Sequence, residues 1–374
     1  MKRKLPITLL LLAVALMSVL GLVKLLGDQK EKKALDPPVR ALSVRFRRLQ
    51  QQQQTEQRRR VVLLAGPHKT GSTTIQFGLF GLDHIHKLGN WSYPMPTVQA
   101  LQEGGEKLER VGGGSFSILE RAFRDQDETF RQNMKRVFGG KFLSDWNAGK
   151  NLVIACEALD QVLNDRHFKP EEYFEHWMSI MPWKGQPNLD RKNLEVVVMH
   201  RYPRFKHLLS VWHETDRERQ LSVYLQTHLF KLFLFFTDAM GVADFYLNHD
   251  LPVTIVDTSS GNEEMQVILC DVLQVPNCDS IFSKGERMRV SSRSETDMDL
   301  SESQLQEIDR TMKAYDCRYQ HKFLKKMEEK KLVILHQTDL FKNCDEPDLP
   351  MIRDRHELAN RIIKIAERAV ALKK

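Results

Sequence analysis

Two short clusters in this chain carry the residue types that hold phosphate-like anions. The first is Gly66-Pro67-His68-Lys69-Thr70-Gly71-Ser72-Thr73-Thr74, directly after the apolar, partly β-branched run Val61–Ala65. A glycine-containing turn lets backbone N–H groups converge on an anion, and a helix starting there adds its positive end. Lys69 contributes a mobile charge, and the Ser/Thr hydroxyls contribute donors. Gly66 and Gly71 have the spacing of the nucleotide loop GxxxxGK[ST], but Ser72 stands where that loop has its lysine. The lysine comes two residues before the second glycine instead. An ordinary ATPase or kinase loop is therefore disfavoured. A simple helix-capping turn would account for Gly66, Gly71 and Ser72, but not for a lysine inside the turn. The second cluster, His200-Arg201-Tyr202-Pro203-Arg204, ends the run Glu195–Met199 and leads into a predicted helix holding Ser210, Trp212 and His213. Arginine offers a forked, permanently charged donor for phosphate, and Pro203 suits a helix start. Taken alone, this cluster could equally be a solvated basic turn.

The elements around these clusters set the expected fold. Short apolar runs at Val61–Ala65, Leu152–Ala155, Val196–Met199 and Val253–Val256 read as buried strands. Helical stretches such as Glu171–Ile180 lie between them. Alternation of this kind predicts an α/β domain over 61–374, P-loop-like, with a central parallel sheet flanked by helices. Ser301 with Gln304 marks a capping-box helix start, followed by Leu305, Ile308, Met312 and Tyr315 at helical spacing. Residues 355–373 read as an amphipathic terminal helix.

The segment Gly66–Gln76 resembles the 5′-phosphosulfate loop of sulfotransferases that use 3′-phosphoadenosine 5′-phosphosulfate (PAPS), with its Pro-x-Lys-Thr-Gly-Thr/Ser-Thr pattern. The strand ending in Arg201-Tyr202-Pro203, with a serine in the next helix, is similar to the 3′-phosphate element of the same family. One departure stands out: Ser210 follows Arg201 by nine positions, one more than is usual there. The resemblance implies that Gly66, His68, Lys69, Thr70, Gly71, Ser72, Thr73 and Thr74 hold the 5′-phosphosulfate. It implies that Arg201 and Ser210 hold the 3′-phosphate. It further implies PAPS as co-substrate, no metal, and in-line transfer to a hydroxyl or amine of a glycan or glycoprotein acceptor, with protein tyrosine as second choice. Besides Lys69, the catalytic set needs a base. Family practice points to Glu157, just past the strand Leu152–Ala155, with His84 and His86 as competitors.

The rest of the chain bears on location. Lys2, Arg3 and Lys4 precede an apolar run from Leu5 to Val23, long enough to cross a bilayer nearly upright. Residues 1–27 are therefore expected to be a cytosolic tail and signal anchor, with a cleaved signal peptide as the alternative. Residues 28–60, polar and rich in glutamine, read as a stem: a spacer, or a self-associating helix pairing two copies. A single-pass type II Golgi membrane protein with a lumenal domain is the expectation. Residues 1–60 hold 14 Lys/Arg and 4 Asp/Glu, a net of +10, and the remainder 42 and 45, a net of −3. The positive charge thus belongs to the arm, which argues against a nucleic-acid partner.

Five cysteines occur, without CxxC. Cys270 should pair with Cys278 across the Val275-Pro276-Asn277 turn, and Cys317 with Cys344, leaving Cys156 in an apolar strand. Closing the longer loop contributes about 3–4 kcal/mol. Asn90-Trp91-Ser92 is the one glycosylation sequon. Two other readings stay open: a type II glycosyltransferase holding a metal-bound nucleotide sugar through Asp297-Met298-Asp299, and an inactive nucleotide-binding protein.

Overall fold

The computed structural model describes residues 59–65, 75, 78, 79, 81–83, 85–94, 139–155, 169, 171, 172, 174, 175, 178, 190–201, 204–215, 218–227, 237–257, 264–282, 299–336 and 340–371. The chain divides into Met1–Arg58 and Arg59–Lys374, and every described residue belongs to the second unit.

The described strands form one six-stranded sheet in the order β2-β3-β1-β4-β5-β6, and every pairing is parallel. They are β1 Val61–Ala65, β2 Trp91–Ser92, β3 Asn151–Ala155, β4 Leu194–His200, β5 Val253–Asp257 and β6 Leu332–Leu335. Helices flank the sheet: Ala239–Asn248 packs on β4 and β5, and Gln320–Glu328 on β6. The central strand β1 is buried along its whole length. A strand covered on both faces needs an unbroken apolar run rather than alternation, and Val61-Val62-Leu63-Leu64-Ala65 supplies it. Each fully buried valine or leucine contributes about 1.5–3 kcal/mol.

The entry to β1 is fastened. Arg60 donates twice to the Glu195 carboxylate, at 2.7 and 2.6 Å, and its backbone N–H donates to Asn151 Oδ1 at 2.9 Å. The Arg59 guanidinium lies 4.0 Å from the centre of the Trp146 ring. These two arginines close the polar arm in sequence, yet in space they belong to the folded unit.

The capping box at Ser301 is present in both halves, opening the helix Glu302–Cys317. The terminal helix runs Arg355–Ala371 and buries Leu358, Ile362, Ile365 and Ala369, one stripe at helical spacing. Both expected disulfides are formed, Cys270–Cys278 and Cys317–Cys344, each with Cα atoms 5.5 Å apart. Cys156 lies outside the described residues.

The expected anchor and stem are corrected. No helix among the described residues is long and apolar enough to cross a membrane, and residues 1–58 lie outside the description. The longest described helices, Glu302–Cys317 and Arg355–Ala371, carry charged residues on almost every turn. The single membrane span, the type II topology, the Golgi address and the stem-mediated homodimer are accordingly withdrawn, and the parallel α/β domain stands.

Candidate functional site

Parallel pairing brings the carboxyl ends of β3, β1 and β4 to one edge of the sheet. From β1 the chain departs toward β2 on one side, and from β4 toward β5 on the other. The boundary between β1 and β4 is thus the switch point, where open parallel sheets leave a crevice for ligands. The ladder joining them ends at Ala65↔Val198, while β4 continues through Met199 and His200 against β5, His200 opposite Asp257. In sequence β1 is followed by Gly66-Pro67, and a proline has no N–H with which to extend a ladder. The lysine-bearing cluster and the arginine cluster therefore leave adjacent strands at one edge.

The expected site residues divide into two groups. Arg201, Ser210 and His86 are described; Gly66, His68, Lys69, Thr70, Gly71, Ser72, Thr73, Thr74, His84 and Glu157 lie outside the described residues. Arg201 follows β4 directly and is half-buried. Among the described residues it makes no hydrogen bond or ion pair. Ser210 lies on the less buried face of the helix Arg204–Thr215, one turn from Lys206 and from His213. His86 is an exposed turn residue with φ 55°, its N–H bonded to Asp83 O at 3.0 Å. Nothing described brings it to the edge holding Arg201.

Arg204, the second arginine of the cluster, has a different environment. It is 2 % exposed. Its Nη1 donates to Asp316 Oδ1 at 2.9 Å, and Nη2 lies 3.7 Å from Asp238 Oδ1. The Tyr315 ring sits beneath the guanidinium at 5.0 Å, and the Tyr315 hydroxyl donates to Asp238 Oδ2 at 2.8 Å. Asp238 also accepts from Gly241 N at 2.9 Å, capping the helix Ala239–Asn248. A Cβ at Gly241 would overlap that carboxylate, so only glycine admits the cap. Arg318 lies over the Tyr315 and Tyr319 rings at 4.4 and 4.5 Å and donates to the Tyr319 hydroxyl at 2.6 Å. Sequence periodicity placed Tyr315 on an apolar helix face and gave no sign of this ionic cluster. An arginine four residues past a strand end and an aspartate preceding Ala-Met-Gly were its only traces.

Burial moves two nearby groups in opposite directions. Desolvation, and then the Arg204 charge, push His200 down to about 3. Desolvation raises Asp316 to about 6 despite the opposing pull of Arg204. Asp316 Oδ2 is buried with no hydrogen-bond partner among the described residues, a natural seat for a proton. A histidine with a depressed folded value is protonated first in the unfolded chain. It therefore costs stability as pH falls from about 6.5 toward 3. An aspartate with a raised folded value is protonated first in the folded chain, so it adds stability as pH falls from about 6 to 4. Between about pH 4 and 6 the two slopes, each about 1.4 kcal/mol per pH unit, oppose one another. Relative to the parent, His200→Asn should lose stability as pH rises through this window, and Asp316→Asn should gain it. Urea unfolding of the three proteins at pH 4.5, 5.2 and 6 measures this; parallel profiles would refute it.

Two other features bear on the chemistry. Asp299 gives both carboxylate oxygens to Ser222, Oδ1 to the backbone N–H at 3.0 Å and Oδ2 to the hydroxyl. It clamps the start of the helix Leu221–Gln226 (its neighbour Asp297 lies outside the described residues). Asp279 lies near Cys270 and Cys278, but those sulfurs are bonded to each other and offer no thiolate to a metal. A groove of about 790 Å³ beside the terminal helix contains none of the motif residues, and its three arginines are paired, Arg368 with Glu307 and Arg361 with Glu357 at 2.7 Å, and Arg310 with Asp348 at 3.7 Å.

No protein family, curated protein or solved structure matches the chain. Membership of the PAPS-dependent sulfotransferase family is therefore corrected: two short motifs carried it, and a glycine turn after a first strand is common wherever parallel sheets hold anions. The glycan acceptor, which came with that membership, falls with it.

Proposed function

We propose that the carboxyl edge of the sheet at β1 and β4 binds PAPS, and that the chain transfers its sulfuryl group to an acceptor hydroxyl or amine. The acceptor oxygen or nitrogen attacks sulfur as the bond from sulfur to the 5′-phosphate oxygen breaks. That oxygen leaves with the electron pair, as part of 3′,5′-adenosine bisphosphate. The acceptor proton passes to a base, for which Glu157 follows the strand next to β1, with His84 as the other choice; His86, in the exposed turn that leads into the start of β2, is set aside. Lys69 neutralises charge gathering on the leaving oxygen, and backbone N–H groups of Gly66–Thr74 hold the phosphosulfate. Arg201 and Ser210 take the 3′-phosphate.

One observation carries this reading. Of the two arginines after β4, Arg204 is locked among carboxylates, whereas Arg201 stands at the switch point without an ion pair among the described residues. An arginine so placed suits a second phosphate reaching across from the β1 cluster. Charge-assisted pairing of this kind is worth about 1.5–3 kcal/mol. Full-length protein should bind 3′,5′-adenosine bisphosphate roughly 10- to 100-fold more tightly than AMP by calorimetry. Arg201→Met should erase most of that ratio, and the parent should move labelled sulfate from PAPS to an acceptor in a mixed panel. Equal affinity for the two nucleotides, or binding that requires Mg²⁺ or Mn²⁺, would overturn the assignment. Tight binding without transfer would reduce the chain to a nucleotide-binding protein.

A further inference from the structure

The cluster around Arg204 costs more to build than an apolar core of the same volume. Two cations, Arg204 and Arg318, two carboxylates, Asp238 and Asp316, and two phenols are gathered where Arg204, Asp238 and Asp316 are at most 3 % exposed. Burying an ion pair is often no more stabilising than replacing it with well-packed hydrophobes. What directional bonds add is a fixed arrangement. Here they join three helices, Arg204–Thr215, Ala239–Asn248 and Glu302–Cys317, at one point. That point is the first residue of the helix following β4, three positions after Arg201. The disulfide Cys317–Cys344 fastens the chain immediately beyond Asp316.

A guanidinium gives a phosphate two directed bonds only if its backbone is held to within about 0.5 Å. β4 fixes Arg201 from the amino side through its pairing with β1 and β5. From the carboxyl side the nearest described anchor is Arg204, and Asp316 holds Arg204 more closely than Asp238 does, at 2.9 Å against 3.7 Å. We propose that Asp316 is a positioning residue for Arg201: by holding Arg204, three positions on, it restricts where the chain carries Arg201, and so aims Arg201 at the nucleotide 3′-phosphate. The proposal rests on the nucleotide reading above. It assigns Asp316 no contact with nucleotide.

The two roles, positioning and simple stability, separate in one measurement. Calorimetry on full-length, folded protein gives the affinity for 3′,5′-adenosine bisphosphate and for AMP at pH 7.5. Asp316→Asn keeps the side-chain shape and one acceptor oxygen but releases the ionic hold on Arg204. Its preference for the bisphosphate should fall about tenfold, with AMP affinity unchanged, and Asp316→Glu should recover part of it. A purely structural role would lower the thermal midpoint and leave the ratio intact, which would overturn the proposal. Should Asp316→Asn fail to fold, Tyr315→Phe removes only the hydroxyl bracing Asp238, and its ratio should fall about threefold; an unchanged ratio there counts equally against the idea. A parent protein that does not distinguish the two nucleotides would bring down the nucleotide reading itself. A parent that distinguishes them beside an indifferent Asp316→Asn would remove only the positioning role.

Discussion

Turnover of Lys69→Ala is expected to fall by roughly 10²–10³-fold, while the thermal midpoint stays within about 1 °C of the parent. Sulfuryl transfer leaves negative charge on the departing 5′-phosphate oxygen, and a cation waiting there lowers the barrier without reorganising. Removing one such charge or donor from a preorganised site costs on the order of 3–4 kcal/mol in the transition state. The lysine belongs to the cluster that follows β1, and β1 ends at Ala65 beside β4 at the switch point. Lys69 itself lies outside the described residues, so kinetics is the direct test. Sulfate release from PAPS and labelled transfer should fall together, and affinity for the bisphosphate product should change far less. Turnover within threefold of the parent would take Lys69 out of the chemistry.

Arg204→Met should be the most destabilising single change near the site. It leaves Asp238 and Asp316 facing each other in the interior with no cation between them. Breaking a buried pair on one side typically costs about 3–5 kcal/mol, lowering the midpoint of a unit this size by roughly 10 °C. The loss should be smaller at pH 5 than at pH 7.5, because Asp316, already raised to about 6, then takes a proton. Combining Arg204→Met with Asp316→Asn should restore part of the lost stability, since one stranded charge disappears. Thermal melts of the three variants at both pH values decide this; strictly additive losses would show that the groups do not interact.

The sequence made the sheet's centre legible and left its edges obscure. β1 is buried throughout, and β3, β4 and β5 are each buried but for one polar residue near the start, so short continuous apolar stretches mark all four. β2 is only Trp91–Ser92, too short for any period, and it was read as part of a glycosylation triplet. β6, Leu332–Leu335, is a four-residue edge strand with a single buried residue, too short and too open to stand out. The cysteine pairs were legible because one spacing brackets a Val-Pro-Asn turn and the other spans a helix end and a following apolar run. The Arg204 cluster was not, because its members lie up to 112 positions apart and each has an ordinary local role. Asp316 sits in the last turn of its helix between Tyr315 and Cys317, where an exposed aspartate would look the same. The anchored, Golgi-resident reading drew on the first 60 residues, where composition speaks without any packing to check it. The family reading drew on two motifs whose chemistry recurs in many parallel sheets.

The position of β1 also dictates the order in which the chain can fold. Among the strands it comes first in sequence but lies in the interior of the sheet, and its neighbours arrive late. Arg60, at its entry, is bonded to Asn151 and Glu195, 91 and 135 residues further on. At synthesis rates of about 5–20 residues per second, β1 must wait roughly 10 s or more before β4 has been made. Until β3 has been made, the larger part of that interval, an uninterrupted Val-Val-Leu-Leu-Ala segment has neither lateral partner. Non-local parallel pairing is slow to nucleate even once every strand is present, since the loops must close before any contact repays them. A strand buried along its whole length is thus, among the described strands, the one left longest without a sheet, which makes it the natural binding segment for a chaperone and the first place where newly made chains would aggregate.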